Sequence, residues 1–363
     1  MLYEAQFRSP DGGAKLLDGI RKLNLPETWI MEVCGTHTMS IAKAGLRQLL
    51  PPQIHLISGP GCPVCVTPAG VMDEILRLSE NPDVILTTYG DLMRVPGSVQ
   101  GDNLQRRKAQ GADVRMFYSP MDCLELAEQE PNREVVFLGV GFETTAPGTA
   151  IAVQEAKARG LKNFSVLCLL KRTESALRAL IESEEFHVSG FLCPGHVATI
   201  VGAEGFSFLS EEYGIPSVIG GFEAGDILAA VYRLLRQIKG SIPQLENEYT
   251  RAVTAEGNTM AQAVMAETFR YRDDVWRGLG TIPESGYGLR AEFAAFDAER
   301  KFSFQPEDKE GMTSCKCGDI ICGHREPAGC PLFGTACVPE NPVGPCMVSS
   351  EGACAAAYKY QRL

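Results

Sequence analysis

The sequence predicts an α/β protein: two similar parallel-sheet α/β domains facing a cleft, followed by a C-terminal helical and cysteine-rich domain. Three observations carry this. Short apolar runs alternate with helix-type patterns between residues 29 and 240. Within that stretch a motif recurs at an offset of 131 residues. Beyond it the pattern changes, and seven of the thirteen cysteines fall between Cys315 and Cys354.

The expected strands are Trp29–Val33, Ile54–Ile57, Val84–Thr88, Val114–Tyr118, Val135–Val140, Phe164–Leu170, Val188–Leu192 and Ser217–Ile219. Helical patterns separate them, for example Met39–Leu50, stopped by Pro51-Pro52, and Ala69–Ser79. Strands spaced by helices imply parallel sheets with right-handed crossovers. The repeat sets Ser58-Gly59-x-x-Cys62-Pro63-x-Cys65-Val66 against Ser189-Gly190-x-x-Cys193-Pro194-x-His196-Val197. The same offset sets Gly90 on Gly221, and Val33–Thr38 loosely resembles Val140–Thr144. The expected boundaries are therefore 25–128 and 129–240 for the two α/β domains, with 1–24 joining 241–363 in the third. In open α/β sheets, ligands bind outside the carboxyl ends of the strands, so two such ends make a cleft. After residue 240, Leu245–Val253 and Thr259–Tyr271 read as helices. A turn-rich stretch and a Gly/Pro-rich tail follow, too poor in apolar residues to build a core without a metal centre.

Composition removes several functions. The net charge is −11, and the one basic cluster, Arg106-Arg107-Lys108, reads as a solvated helix face; nucleic acid is not an expected partner. No run approaches the ~20 apolar residues of a membrane helix. Met1–Gln6 lacks the pattern of a secretory signal, which points to the cytoplasm. In that reducing compartment, thirteen cysteines imply metal binding or catalysis more than structural disulfides. Cys123 and Cys168 lie among apolar residues and read as core thiols.

Four groups carry chemistry. The tail spacing Cys317-x12-Cys330-x6-Cys337-x16-Cys354 lacks paired Cys-x2-4-Cys zinc signatures and suits a 4Fe-4S cluster, with zinc the alternative; Cys315, Cys322 and Cys346 are extra. Cys62-Pro63-Val64-Cys65, between a strand and a helix, reads as a dithiol–disulfide pair. Cys34-Gly35-Thr36-His37 joins thiol and imidazole, which suits iron or a Cys–His nucleophile. Glu143-Thr144-Thr145, His196 and Glu223 are polar loop residues, and His196 would stand across the cleft from the thiols. No phosphate-binding glycine motif occurs.

Together the strings resemble the HypD family: Cys34-Gly35-Thr36-His37, Gly59-Pro60-Gly61-Cys62-Pro63-Val64-Cys65, Gly141-Phe142-Glu143-Thr144-Thr145, Pro194-Gly195-His196-Val197, Trp276-Arg277-Gly278-Leu279-Gly280 and Met347–Cys354. The resemblance implies a hydrogenase maturation scaffold. It would act with the small chaperone HypC, carrying an iron ion while cyanide, supplied through HypE, and carbon monoxide are attached. The product would be the Fe(CN)2CO unit of nickel–iron hydrogenase. Cys34 would hold the iron, Cys62 and Cys65 would form a redox pair, and the tail cluster would exchange electrons with it. Two other readings are a stand-alone thiol–disulfide oxidoreductase and a zinc-stapled interaction protein.

Overall fold

The computed structural model describes residues 10–307 and 314–360; the stretch Met1–Gln6 lies outside them. The eight expected strands are all present, within a few residues at their ends. They are β1 (Thr28–Glu32), β2 (Ile54–Ser58), β3 (Val84–Thr88), β4 (Val114–Met116), β5 (Glu134–Gly141), β6 (Phe164–Leu170), β7 (Gly190–Pro194) and β8 (Ser217–Gly220). Every residue of β3, β6, β7 and β8 is buried, the pattern of a parallel sheet covered on both faces. The helix expected over Met39–Leu50 is two, Gly35–Lys43 and Leu46–Leu49. It breaks at Gly45, whose φ of 63° lies in the left-handed region.

The strands form two parallel sheets, but not along the expected boundaries. With β9 (Leu245–Asn247), one sheet has the order β2-β1-β7-β8-β9, the other β4-β3-β5-β6. The chain lays two strands in the first sheet, builds the second, and returns to finish the first. A division at 128/129 therefore cuts through the second sheet and splits the first. The 131-residue repeat does not relate one sheet to the other either: Gly59–Pro63 follows β2, whereas its match Gly190–Pro194 is β7 itself, in the same sheet.

Three further expectations change. Leu245–Val253 is not a helix: Leu245–Asn247 is β9, at the edge of the first sheet beside β8. The helix Thr259–Thr268 ends before Tyr271. The chain then enters an antiparallel hairpin, β10 (Phe269–Trp276) and β11 (Gly280–Leu289), which packs on β6. The N-terminal helix Pro10–Leu23 lies on Ala224–Gly240, a helix that covers the first sheet, and not with the C-terminal residues; Ile20 is buried there with Leu228 and Val231. The tail also borrows a core from the rest of the chain. Ile320, Ile321 and Met347 join the apolar cluster that contains Met31, Val33 and Phe191. Helix Ala353–Tyr360 packs on Gly35–Lys43. Among the described residues no helix is long and apolar enough to cross a membrane.

Candidate functional site

In each sheet the strand order reverses at one point. In the first sheet this lies between β1 and β7, in the second between β3 and β5. Crevices at such reversals are where open α/β sheets bind ligands. The two reversals face one cavity of about 290 Å3, lined by Cys34 after β1, His196 and Val197 after β7, Gly90 and Asp91 after β3, and Phe142 and Thr144 after β5. Glu351 from the tail also lines it.

Cys34 sits at the start of helix Gly35–Lys43 in extended backbone, with φ −149° and ψ 120°. Its side chain is 8% exposed. Burial pushes the thiol up to about 12, partly offset by the backbone N–H groups of His37 and Thr36, while the nearby carboxylates of Glu351 and Glu32 raise it further. Glu32, which the sequence reading passed over, is fully buried at the end of β1. It accepts from Thr38 Oγ1 at 2.6 Å and from the Cys34 amide at 3.4 Å, and burial raises its carboxyl to about 7.

Two glycines fix this turn. A Cβ on Gly61 would lie 2.3 Å from the Cys34 nitrogen, and Gly35 N–H donates to Gly61 O at 2.9 Å. Gly61→Ala should therefore cost about 1–3 kcal/mol by overpacking, measured as a fall in the urea midpoint. A Cβ on Gly35 would lie 2.4 Å from the Glu351 Cβ. The space that Gly35 leaves is filled by this chain's own tail, not left open to a partner. Thr36 Oγ1 donates to Glu351 Oε1 at 2.7 Å and fastens the contact.

His37 does not turn its ring to Cys34. Nε2–H donates to Gly221 O at 2.9 Å, the ring packs 4.7 Å from Phe222, and burial lowers it to about 4, so it is neutral. What His37 offers the sulfur is its backbone N–H. His196 does reach the cleft, stacked 3.9 Å from Phe222. Glu143 does not line the cleft. Its carboxylate, fully buried, accepts from Thr173 N at 2.8 Å and Thr173 Oγ1 at 2.7 Å, tying the end of β5 to helix Thr173–Ile181. Glu143→Ala strands those donors and should cost about 3 kcal/mol in chemical denaturation. Glu223 caps helix Ala224–Gly240 in a capping box with Asp226.

Cys62 and Cys65 lie in a turn that precedes helix Ala69–Leu78, held by Cys65 N to Cys62 O at 3.1 Å. Their sulfurs are 2.6 Å apart, within reach of the ~2.05 Å disulfide bond. They face the tail, and line a small internal space with Cys346, while their neighbours Gly61, Pro63 and Val64 line the cleft. Cys346 is in hydrogen-bonding contact with Cys65 and with Cys317, whose sulfur is 2.8 Å away. Cys317 in turn touches Cys315. Five thiols thus form a file from behind the cleft into the tail. Cys330, Cys337 and Cys354 lie beyond, and Cys354 feels the charges of Cys315, Cys337 and Cys330. Cys315 lies against Gly344, where a Cβ would be 2.5 Å from its sulfur.

The model of the family described as HypD, the hydrogenase formation hypA family, matches residues 13–361. The HypD hydrogenase maturation factor of Cupriavidus necator is 46% identical over an alignment covering 100% of this chain and 98% of its own length. That of Escherichia coli is 43% identical, covering 100% and 99%. That of Rhizobium leguminosarum bv. viciae is 47% identical, covering 92% and 88%. With the motif strings in order along the chain, this similarity over its whole length establishes that the chain belongs to the HypD family of hydrogenase maturation factors.

Proposed function

We propose that the chain is a cytoplasmic scaffold on which, with a HypC-type chaperone, the Fe(CN)2CO unit of nickel–iron hydrogenase is built before transfer toward the hydrogenase large subunit. The observation that carries this is the placement of Cys34. One thiol stands where the strand-order reversals of both sheets meet, with a file of thiols directly behind it. The iron under construction is cargo, and Cys34 is its ligand from this chain. Binding replaces the thiol proton, so the backbone N–H groups of Thr36 and His37 then stabilise the thiolate. His196 and Glu351 supply polar contacts across the cleft.

The tail fits a 4Fe-4S cluster held by Cys315, Cys330, Cys337 and Cys354. The spacing pointed to Cys317, but Cys317 is turned onto Cys346, and Cys315 is the thiol that acts on Cys337 and Cys354. A cluster there supplies electrons one at a time. Cyanide delivered by a HypE-type donor on a thiolate carrier leaves by reductive cleavage, R–S–CN + 2e⁻ + H⁺ giving R–SH and CN⁻. Oxidation of the Cys62–Cys65 dithiol to the disulfide releases two electrons and two protons; both electrons and one proton enter that step, and the second proton passes to solvent. Thiol exchange with Cys346 and Cys317 would return the Cys62–Cys65 pair to the dithiol and leave a Cys317–Cys346 disulfide, whose reduction takes two electrons and two protons.

The two rival readings have weaker support. Cys62 and Cys65 are 5% and 2% exposed and face inward, unlike a pair that must meet external disulfides. A zinc staple gives no role to the Cys62–Cys65 pair or to the file of thiols behind the cleft. Differential thiol labelling read by mass spectrometry tests the redox pair. Mild reductant should raise labelling at Cys62 and Cys65 together, and Cys346→Ser should slow that recovery. Labelling indifferent to reductant and oxidant removes the redox role.

A further inference from the structure

A second cavity, of about 420 Å3, lies against the back of the cleft. Val197 lines both spaces, and Glu143 lines this one while its neighbours Phe142 and Thr144 line the cleft. None of the cysteines reaches it. Its walls are apolar: Ile200 and Val201 from helix Gly195–Val201, Phe206, Met265 from helix Thr259–Thr268, and Phe269. Its volume is that of a small-molecule pocket, which typically spans about 300–1,000 Å3.

Charged groups of both signs line it, but the carboxylates are engaged: Glu143 accepts from Thr173, and Glu174 pairs with Arg172 and Arg178. Arg172, Arg270 and Arg290 stand along it. Arg172 is engaged, paired with Glu174 and stacked 4.3 Å from the Tyr271 ring. Arg270 and Arg290 are exposed and form no ion pair among the described residues; the Arg290 guanidinium donates to Ala266 O. Tyr287 is 3% exposed, lines the cavity, and its hydroxyl makes no hydrogen bond among the described residues. The hydroxyl is not sealed off from solvent, so it is free to meet a ligand in the cavity. In a chain of net charge −11, two unpaired guanidinium groups over an apolar chamber locally reverse the sign. The guanidinium fork matches a carboxylate.

We propose that this cavity binds a small aromatic carboxylate. The ring lies among Ile200, Phe206 and Phe269, the carboxylate meets Arg270 and Arg290, and the Tyr287 hydroxyl donates to it. Because Val197 separates ligand from cleft, occupancy is felt by the helix that carries His196. The site requires neither the iron nor the cluster.

Titration of the full-length protein with 2-naphthoate, followed by isothermal calorimetry and ligand-observed NMR, tests it. Saturable one-site binding with Kd below about 1 mM is expected. The amide, 2-naphthamide, and the double variant Arg270→Gln/Arg290→Gln should each bind or be bound at least about tenfold more weakly. Ala266→Trp places an indole from an exposed helix position over the cavity and should abolish binding, while Cys34→Ser leaves it unchanged. Thermal melts establish that each variant is folded; should Ala266→Trp not fold, the double Gln variant decides. Absence of saturable binding, equal binding of the amide, or full binding by the folded variants overturns the proposal.

Discussion

Cys315→Ala should empty the tail of iron and sulfide, whereas Cys317→Ala should leave both in place. The two residues are separated only by Lys316, and the tail spacing is counted from Cys317. Geometry separates them. Cys317 lies 2.8 Å from Cys346, on the inner side of the tail, where its sulfur belongs to the file that leads to Cys65. Cys315 is half-exposed and faces Gly344, on the side of Cys337 and Cys354. A cluster deprived of one of four thiolates is labile, so Cys330→Ala, Cys337→Ala and Cys354→Ala should match Cys315→Ala. Iron and sulfide analysis of anaerobically purified protein, with visible absorption, reads the outcome. A colourless Cys317→Ala beside a fully loaded Cys315→Ala would exchange the two assignments. Cys322 donates to Gly278 O at 3.4 Å, away from the set, and its replacement should keep the cluster.

Cys34→Ala should abolish maturation without unfolding the chain. Alanine keeps the Cβ, so the turn built on Gly61 and the start of helix Gly35–Lys43 remain. Only one small buried group is lost, a change expected to move the melting temperature by a few degrees at most for a chain of this size. The tail cysteines lie beyond Cys65 and Cys346 and keep their contacts. In a strain lacking its own copy, hydrogenase activity should fall to background with Cys34→Ala. Cys168→Ala, an equally buried thiol on β6 outside the cleft, should retain most of it. If the two variants behave alike, the loss reflects packing and Cys34 has no special part.

The strands were legible because parallel strands buried on both faces read as continuous apolar runs; Val84–Thr88 and Phe164–Leu170 are examples. Which sheet each strand joins was not, because pairing between β1 and β7 spans the whole second sheet and leaves no local mark. The 131-residue repeat misled for the same reason: Gly- and Pro-rich turns look alike whether a strand has just ended or is about to begin. Leu245-Glu246-Asn247 carries no apolar run, and its strand exists because β8 offers it an edge. Phe269–Trp276, in contrast, alternates Phe-Arg-Tyr-Arg and could have been read as a strand. Cys34 and Cys62 were visible as thiols beside glycines after strands, and Cys65 as the partner of Cys62 in a Cys-x-x-Cys spacing. Glu351 and Cys346 reach the site only when the tail folds back, as the Thr36–Glu351 bond across 315 residues records. His37 was legible as a residue but not in its role, since the ring direction is set by Gly221 and Phe222, which lie far away in sequence.

The infrared spectrum of the anaerobic complex with its HypC-type partner tests the account most directly, because cyanide and carbon monoxide bound to iron absorb where protein does not. The wild-type complex should show cyanide and carbonyl stretching bands, and the Cys34→Ala complex, isolated at equal yield and with its tail cluster intact, should show none. His37→Ala should weaken the bands less, since any residue there keeps the backbone N–H that faces the sulfur. Bands of normal intensity from Cys34→Ala would contradict the central claim and move the iron away from the meeting point of the two sheets, toward Cys62 or Cys65.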